Sequence, residues 1–387
     1  MTNAILVLNA GSSSIKYAIY KADSDRKLIS KGLIDRIGHG PAHHGPNHST
    51  PLPVPHESGH KEALAWLTAD LQERFPDLHV VAAGHRVVHG GHDFTGAALI
   101  DADVIQRITA LAPLAPAHQP HNLSGIAALS AVWPDLPQVA CFDTAFHRTQ
   151  DRLAQLFAIP RELTDDGVLR YGFHGLSYEY IASRLPDFLD TETQRRVVVM
   201  HLGHGASVCA MKDGNSVATS MGYTALDGLM MGKRCGEIDP GVIFHLIRDM
   251  AMSVDEAEEL VSSKSGLYGV SGGISSDMRD LAASDDPAAQ EAIDLFIFRA
   301  YRQIGAMAAV LGGIDAIVFT AGIGENAANI RAGILKGCEW LGADLDPEAN
   351  AARGPVITTP DSRLKALVIP TDEEGVIADQ TLALLQG

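Results

Sequence analysis

The sequence predicts an α/β protein that contains the same folding unit twice. Short apolar, β-branched runs alternate with longer segments of helical periodicity, which is typical of strands and helices packed in layers. One pattern of three strands occurs near residue 5 and again near residue 197. The chain has 387 residues, more than one core usually takes, and 46% of them are hydrophobic. We therefore expect two α/β domains with a cleft between them.

The individual elements follow from periodicity and from the turn residues that bound them. Apolar runs predict strands at 4–9, 14–20, 27–33, 79–83, 138–142, 196–200, 206–211, 315–320 and 366–370. Apolar residues at helical spacing predict helices at 58–74, 120–132, 175–185, 240–250, 288–311 and 325–339.

The repeat is visible when the two segments are written out. Residues 5–30 read ILVLNAGSSSIKYAIYKADSDRKLIS, and residues 197–220 read VVVMHLGHGASVCAMKDGNSVATS. Each has an apolar strand, a turn rich in glycine or serine, a second apolar strand, a polar turn and a third strand. Internal repetition is a stronger guide to architecture than any single motif.

Composition limits the partners and the location. The chain carries 30 basic and 47 acidic residues, a net charge of −17, which argues against nucleic acid or an anionic membrane as the main partner. No apolar run is long enough to span a bilayer, and the N-terminal stretch lacks the basic region and cleavage site of a signal peptide. Four cysteines without CxxC spacing indicate a reduced, cytoplasmic setting.

A histidine-rich tract lies at residues 38–60, GHGPAHHGPNHSTPLPVPHESGH. Such a tract can bind metal. Its prolines, its glycines and its lack of apolar periodicity favour a mobile surface loop that binds metal only adventitiously.

Several glycine-rich segments are candidate phosphate loops. GLMMGKR at 228–234 fails as a Walker A loop, because it has three residues between its glycines and an arginine after the lysine. GIGEN at 322–326 follows an apolar strand and opens a helical stretch, where backbone N–H groups can face an anion. NAGSSSIK (9–16) and LGHGAS (202–207) occupy corresponding positions of the repeat and can hold a triphosphate from two sides. A zinc site at His201 and His204 is the poorest interpretation, since no regular face brings the two rings together.

Nine motifs in order along the chain resemble the acetate kinase family. They are VLNAGSSSIKY (7–17), GHRVVHGG (84–91), CFDTAFH (141–147), RYGFHGLSYEY (170–180), HLGHGAS (201–207), DGLMMGKRCGEIDPG (227–241), SDMRD (276–280), FTAGIGEN (319–326) and IPTDEE (369–374). The resemblance implies two ribonuclease-H-like domains of the actin-like ATPase type, at 1–145 plus 371–387 and at 146–370, with a nucleotide cleft between them and usually in a homodimer. It also implies the reaction of acetate and ATP to acetyl phosphate and ADP, with Mg²⁺ or Mn²⁺.

The residues fit that chemistry on physical grounds. A carboxylate is already ionised at pH 7, so this nucleophile needs no general base. It needs neutralisation of charge, because one anion must approach another. By the resemblance, Arg86 holds the acyl carboxylate by a fork of donors, Arg234 and His174 stabilise the transferring phosphoryl group, and Asp143 orients substrate or metal-bound water.

The resemblance also implies the binding residues. Oxygen ligands suit magnesium, and the matching positions are Asn9 and Glu373. The acyl pocket is expected at Val88, Ala117, Phe173 and Ala225. The nucleotide is expected at Lys16, Ser12, Ser14, His201, Leu202, Gly203, His204, Gly205, Asp277, Met278, Arg279, Gly322, Ile323, Gly324, Glu325 and Asn326.

The chain departs from the family pattern at a few positions. His204 replaces the usual asparagine, Lys233 replaces threonine, and one extra glycine lies around 272–273. Ala117 and Ala225 are smaller than the usual leucine and proline, so a kinase for propionate or another short-chain carboxylate is an alternative. An actin-like or chaperone-like ATPase is a second alternative, but it gives no reason for Arg86, His174 and Arg234 together.

Overall fold

The computed structural model describes residues 2–45 and 48–386. They form two compact units. Unit 1 comprises the chain up to Phe146 together with the segment from Asp372 onward, and unit 2 comprises His147–Thr371. The predicted domain boundaries differ from these by one residue.

Unit 1 is built on an eight-stranded sheet with the order β5-β4-β3-β2-β1-β6-β8-β7. Its strands are β1 (Thr2–Ala10), β2 (Ile15–Lys21), β3 (Leu28–Asp35), β4 (Ala42–Gly45), β5 (His48–Pro51), β6 (Leu78–Val87), β7 (Ala98–Leu99) and β8 (Gln138–Phe142). Its helices are α1 (His60–Arg74), α2 (Ala102–Ala110), α3 (Gln119–Val132) and the C-terminal α15 (Glu373–Gln386). Helices α3 and α15 both pack on β1, which explains why this strand reads as a continuous apolar run.

Unit 2 is built on a five-stranded sheet with the order β11-β10-β9-β12-β13. Its strands are β9 (Arg196–Leu202), β10 (Ala206–Lys212), β11 (Asn215–Thr219), β12 (Ala316–Thr320) and β13 (Lys365–Val368). Its helices are α4 (Arg152–Gln155), α5 (Arg161–Asp165), α6 (Gly175–Arg184), α7 (Pro240–Arg248), α8 (Val254–Ser263), α9 (Gly266–Val270), α10 (Met278–Ala282), α11 (Pro287–Leu311), α12 (Ala321–Asn326), α13 (Ala328–Lys336) and α14 (Pro347–Ala351).

Each of the two sheets contains the same arrangement of five strands. In unit 1 the order β3-β2-β1-β6-β8 has two antiparallel pairs followed by two parallel pairs. The order β11-β10-β9-β12-β13 repeats that pattern in unit 2. The duplication predicted from the sequence is therefore present in the topology.

The helix ends are set by local chemistry. Asp101 caps α2 by accepting a hydrogen bond from the N–H of Val104 at 2.8 Å. Asp286 caps α11 in the same way, through the N–H of Ala288. That helix stops at Gly312, whose left-handed φ of 67° suits a residue without a side chain.

Two predictions about local structure were wrong. Within the 38–60 tract, strands β4 and β5 extend the sheet beyond β3, and His43 is buried with its ring 2.8 Å from the Tyr17 hydroxyl. Backbone pairing along the edge of the sheet gives this segment a regular structure despite its prolines. Residues 46 and 47 of the tract lie outside the described residues. The predicted helix at 325–339 starts too late and is not continuous, because α12 already begins at Ala321 and breaks from α13 at Ala327.

Within the described ranges, no helix combines the length and the apolar character needed to cross a membrane.

Candidate active site

In unit 1, Arg86, Asp143 and Glu373 form a group that we call the Arg86 cluster. Arg86 lies near the end of β6, and Asp143 follows the neighbouring parallel strand β8. The carboxyl ends of parallel strands meet at one sheet edge, which brings the two side chains together. Glu373 is the first residue of α15, a helix that the sequence analysis missed.

The cluster is an ion-pair network with little exposure. Arg86 donates from Nε to both oxygens of Asp143 (3.1 and 3.2 Å) and from Nη2 to Oδ2 (2.7 Å). Its Nη1 lies 3.6 Å from Oε2 of Glu373. Burial alone lowers the pKa of Arg86, but the two carboxylates outweigh it, so the pKa lies above its ordinary value. Asp143 therefore occupies the Nε–Nη2 edge of the guanidinium, and Glu373 lies near Nη1.

The first turn of the repeat lies between β1 and β2. Asn9 and Lys16 face each other across the antiparallel pair, and the N–H of Gly11 donates to the carbonyl of Ser14 at 2.8 Å. Ser12 is exposed. The ring of His60 lies 2.8 Å from the carbonyl of Gly11. This contact joins α1 to the turn, and no local signal in the sequence indicated it.

In unit 2, His174, Gly205 and Arg234 form a second group that we call the Gly205 notch. A Cβ atom on Gly205 would lie 2.8 Å from Nη2 of Arg234 and 3.3 Å from Nε2 of His174. Nη2 of Arg234 and Nε2 of His174 therefore approach the backbone of Gly205 so closely that a side chain at this position would not fit without movement. Nη1 of Arg234 donates to the carbonyl of Ala225 at 2.5 Å, and burial lowers the pKa of this guanidinium.

His174 has an unusual backbone. Its φ of 59° and ψ of 25° lie in the left-handed region, directly before α6. Such a conformation is uncommon for a residue with a side chain and persists where the surroundings hold it. The His174 ring stacks on the ring of His201, with centroids 4.1 Å apart. Hydrogen bonds to Ser177 and Ser207 hold the two rings at Nδ1, each at 2.8 Å.

A pocket of about 740 Å³ lies beside α12 in unit 2. We call it the α12 pocket. Eight of the predicted nucleotide residues line it: Gly203, His204, Asp277, Met278, Arg279, Gly322, Ile323 and Asn326. Five further lining residues were not predicted from the sequence: Ser276, Ala282, Ala327, Asn329 and Arg353.

Charged groups surround His204 at this pocket. Burial is the largest cause that lowers the pKa of its imidazole, followed by the positive charges of Arg234 and Lys233, while Asp277 acts in the opposite direction. Asp277 is itself bound by Arg279, whose side-chain and backbone hydrogen bonds lower the pKa of that carboxyl to about 2.

Arg331 supports the α12 pocket from inside the protein. It is fully buried, and all its hydrogen-bond acceptors are neutral. Nη1 donates to the carbonyls of Gly324 and Glu325 at the end of α12, while Nε and Nη2 donate to Asn350. The sequence did not indicate this role, because Arg331 is one arginine within a predicted helix and has no motif around it.

The remaining predicted residues lie elsewhere. The side chain of Leu202 is buried, and Glu325 accepts from the N–H of Thr371 at 3.2 Å. Of the predicted acyl-pocket residues, Val88 and Ala117 belong to unit 1, where Ala117 is exposed, and Phe173 and Ala225 belong to unit 2. The last two adjoin the Gly205 notch, since Phe173 precedes His174 and Ala225 binds Arg234.

Known proteins resemble this chain over its whole length. The family model described as the acetokinase family matches residues 4–379. The chain belongs to the acetokinase family. An acetate kinase of Rhodopseudomonas palustris is 51% identical over the full length of both chains. Among solved structures, a propionate kinase from Francisella tularensis has a TM-score of 0.91 and 37% identity, covering 98% of each chain. An acetate kinase of Porphyromonas gingivalis has a TM-score of 0.89 and 34% identity, covering 99% of this chain and all of that one.

Acetokinase membership confirms three predictions from the sequence. The family is the one that the nine motifs resembled. The duplicated α/β fold of the actin-like type is confirmed by the acetate and propionate kinase structures. The chain is an enzyme, an ATP-dependent kinase that uses a carboxyl group as acceptor.

Proposed function

We propose that this chain transfers the γ-phosphoryl group of ATP to the carboxylate of acetate, giving acetyl phosphate and ADP, and that it also runs the reverse reaction. The Gly205 notch carries the proposal. There Nη2 of Arg234 and Nε2 of His174 lie side by side next to Gly205, 2.8 and 3.3 Å from the position that a Cβ atom would take. A guanidinium and an imidazole nitrogen side by side suit the equatorial oxygens of a phosphoryl group in transfer.

The reaction needs positioning and charge rather than proton transfer. One acetate oxygen forms a bond to the γ-phosphorus, the bond from phosphorus to the bridging oxygen breaks, and ADP leaves with that electron pair. Arg86 holds the acetate carboxylate by its Nη1–Nη2 edge, since Asp143 occupies the Nε–Nη2 edge at 2.7–3.2 Å and Glu373 approaches Nη1 only to 3.6 Å. Asp143 thus acts as a positioning residue, and no general base is required, since acetate is already ionised.

Arg234 and His174 stabilise the negative charge on the phosphoryl oxygens. The α12 pocket takes the adenosine and its phosphates, with His204 at the phosphate loop and Gly322 leaving open space for close approach. Lys16, Ser12 and Ser14 contribute donors from the corresponding turn of unit 1.

Magnesium or manganese is part of the proposal. Within the described residues no group of three or more His, Cys, Asp or Glu side chains is arranged to hold a metal ion. Mg²⁺ does not need one, because it binds through one or two carboxylates, substrate phosphates and water. Glu373 and Asn9 offer the hard oxygen donors that suit it, and the ion would neutralise phosphate charge. We also propose a cytoplasmic homodimer with no nucleic-acid or membrane partner.

The test is an acyl hydroxamate assay with ATP, hydroxylamine and acetate. Hydroxamate forms only when an acyl phosphate is made, so we expect its formation to depend on acetate and on a divalent ion. ATP hydrolysis without hydroxamate from acetate, propionate or butyrate would contradict the proposal and favour an ATPase whose output is conformational.

Propionate is a second candidate acceptor. A propionate kinase has the fold of this chain at a TM-score of 0.91, and Ala117 and Ala225 are small. One methylene in an apolar pocket changes discrimination by roughly 1–3 kcal/mol, so we expect propionate to approach acetate in kcat/KM. Ala117→Leu and Ala225→Pro should each lower kcat/KM for propionate more than for acetate. Equal losses for both acids, or strong rejection of propionate by the wild type, would exclude this candidate.

A further inference from the structure

We propose that Ser207 is a positioning residue for His174. Its hydroxyl donates to Nδ1 of His174 and so fixes the tautomer that presents an N–H at Nε2 to the Gly205 notch. The inference rests on the proposed role of His174, and it gives Ser207, the last residue of the predicted 202–207 phosphate loop, a different role.

Ser207 lies on β10 and is fully buried. Its Oγ atom is 2.8 Å from Nδ1 of His174 and 2.5 Å from the hydroxyl of Tyr178, a residue of α6 that is also fully buried. Buried hydroxyl groups have few alternative partners, so these hydrogen bonds persist.

Acidity sets the direction of the protons. The phenol of Tyr178 is more acidic than an aliphatic hydroxyl, so Tyr178 donates to Ser207 in the contact between them. Ser207 then uses its single proton to donate to Nδ1 of His174. A neutral imidazole that accepts at one nitrogen carries its proton on the other. His174 therefore has N–H at Nε2, the atom that faces the notch.

The neighbouring ring follows the same pattern. The hydroxyl of Thr371 donates to Oγ of Ser177 at 3.0 Å, which leaves the proton of Ser177 for Nδ1 of His201. The two imidazoles stack at 4.1 Å with an angle of 18° between their planes. Stacked neutral rings avoid the repulsion that two imidazolium ions would have at this distance. Two separate serine contacts therefore favour neutral rings protonated at Nε2.

This tautomer determines what His174 can do. With the proton at Nε2, the ring donates to a phosphoryl oxygen beside Nη2 of Arg234. With the proton at Nδ1, it would present a lone pair to an anion and repel it. A histidine in the wrong tautomer loses most of its catalytic effect even when its position is unchanged.

The experiment compares Ser207→Ala with Ser216→Ala. Ser216 is a matched control, because it is also fully buried in unit 2 and its Oγ lies 2.8 Å from Nδ1 of another histidine, His147. We expect Ser207→Ala to lower kcat by about ten- to a hundredfold, the usual scale for a lost positioning partner, with little change in KM for ATP. Ser216→Ala should keep kcat within about twofold. Tyr178→Phe, which keeps the serine, should lower kcat less than Ser207→Ala.

The tautomer itself is read by NMR of protein labelled with ¹⁵N-histidine, with the His174 signals assigned by their loss in His174→Asn. We expect a protonated Nε2 and an unprotonated Nδ1 in the wild type, and a gain of the Nδ1–H form in Ser207→Ala. A protonated Nδ1 in the wild type, or equal kcat losses in the two serine variants, would overturn the inference. If Ser207→Ala does not fold, the wild-type spectrum and Tyr178→Phe still decide it.

The same variants separate this inference from the proposed function. Full activity in His174→Asn would remove the proposed role of His174. Loss of activity in His174→Asn with normal activity in Ser207→Ala would leave that role intact and reject only the positioning by Ser207.

Discussion

The Arg86 cluster and the Gly205 notch differ in whether the positive charge of their arginine is neutralised by nearby carboxylates. In unit 1, Arg86 is balanced by two carboxylates, Asp143 and Glu373. In unit 2, Arg234 binds a neutral carbonyl and His174 binds a serine hydroxyl. A balanced cluster suits a small monoanion together with a metal ion, whereas an unbalanced one suits a highly charged polyphosphate. The two copies of the repeated fold therefore surround their arginines with different electrostatic environments.

The largest expected effect tests whether both regions serve one reaction. Arg86→Ala and Arg234→Ala should each lower kcat by about 10²–10³, the scale for removing one preorganised donor. Steady-state assays with acetate and ATP measure this. Arg184→Ala is a control, because Arg184 pairs with Asp187 on an exposed surface of unit 2 and should keep full turnover. Near-normal kcat in either site variant would remove that arginine from the mechanism.

The two arginine variants should differ in how much free energy of unfolding they lose. The Asp143 side chain is 2% exposed, so Arg86→Ala leaves a buried carboxylate without its main partner and should cost about 3 kcal/mol in the free energy of unfolding. Arg234→Ala removes a buried charge that has a neutral acceptor, and it should cost far less. Urea unfolding followed by tryptophan fluorescence measures both variants, because unit 1 contains Trp66 and Trp133 and unit 2 contains Trp340.

The double variant Arg86→Ala, Asp143→Ala sharpens this contrast. It removes the stranded carboxylate and should recover part of the lost stability without recovering activity. Equal unfolding midpoints for the two single variants would show that the difference in charge balance has no energetic consequence.

The smallest effect concerns His204 at the α12 pocket. Bound phosphates favour the charged ring, so its pKa is higher in the complex than in the free protein, where burial, Arg234 and Lys233 lower it. Binding then takes up a proton, and affinity rises as the pH falls. We expect ATP to bind about three- to tenfold tighter at pH 6 than at pH 8.

His204→Asn should flatten that dependence, while His245→Asn, a change at an exposed histidine of the same unit, should not. Calorimetric titration at the two pH values gives the affinities. Affinity that is constant or rises with pH in the wild type would exclude a phosphate contact by His204.

The sequence predicted the repeated core well, because its apolar runs are long and its turns carry glycine. All nine predicted strands are present. Helix α15 was missed, since its apolar residues do not follow a clear helical stripe, and with it the reason why Glu373 has a fixed position. Strands β4 and β5 were missed because edge pairing overrides the loop composition of the 38–60 tract.

The candidate site shows a similar limit. Residues within one motif, such as Gly203, His204 and Gly205, were predicted because they are adjacent in the chain. Partnerships across long separations were not visible. Ser207 lies 33 residues from His174, and Asn350 lies 19 residues from Arg331. Periodicity and motif spacing carry no information about which polar groups meet in the interior.

The hydrogen bonds of Arg331 have a consequence for protein engineering. They bind the last carbonyls of α12 to a side chain of α13, which Asn350 of α14 holds in turn. A graft that keeps these contacts has to run from Ala321 to Asn350. A graft of GIGEN alone onto another α/β scaffold would lack the guanidinium that binds its carbonyls, and we expect it to lose this backbone path.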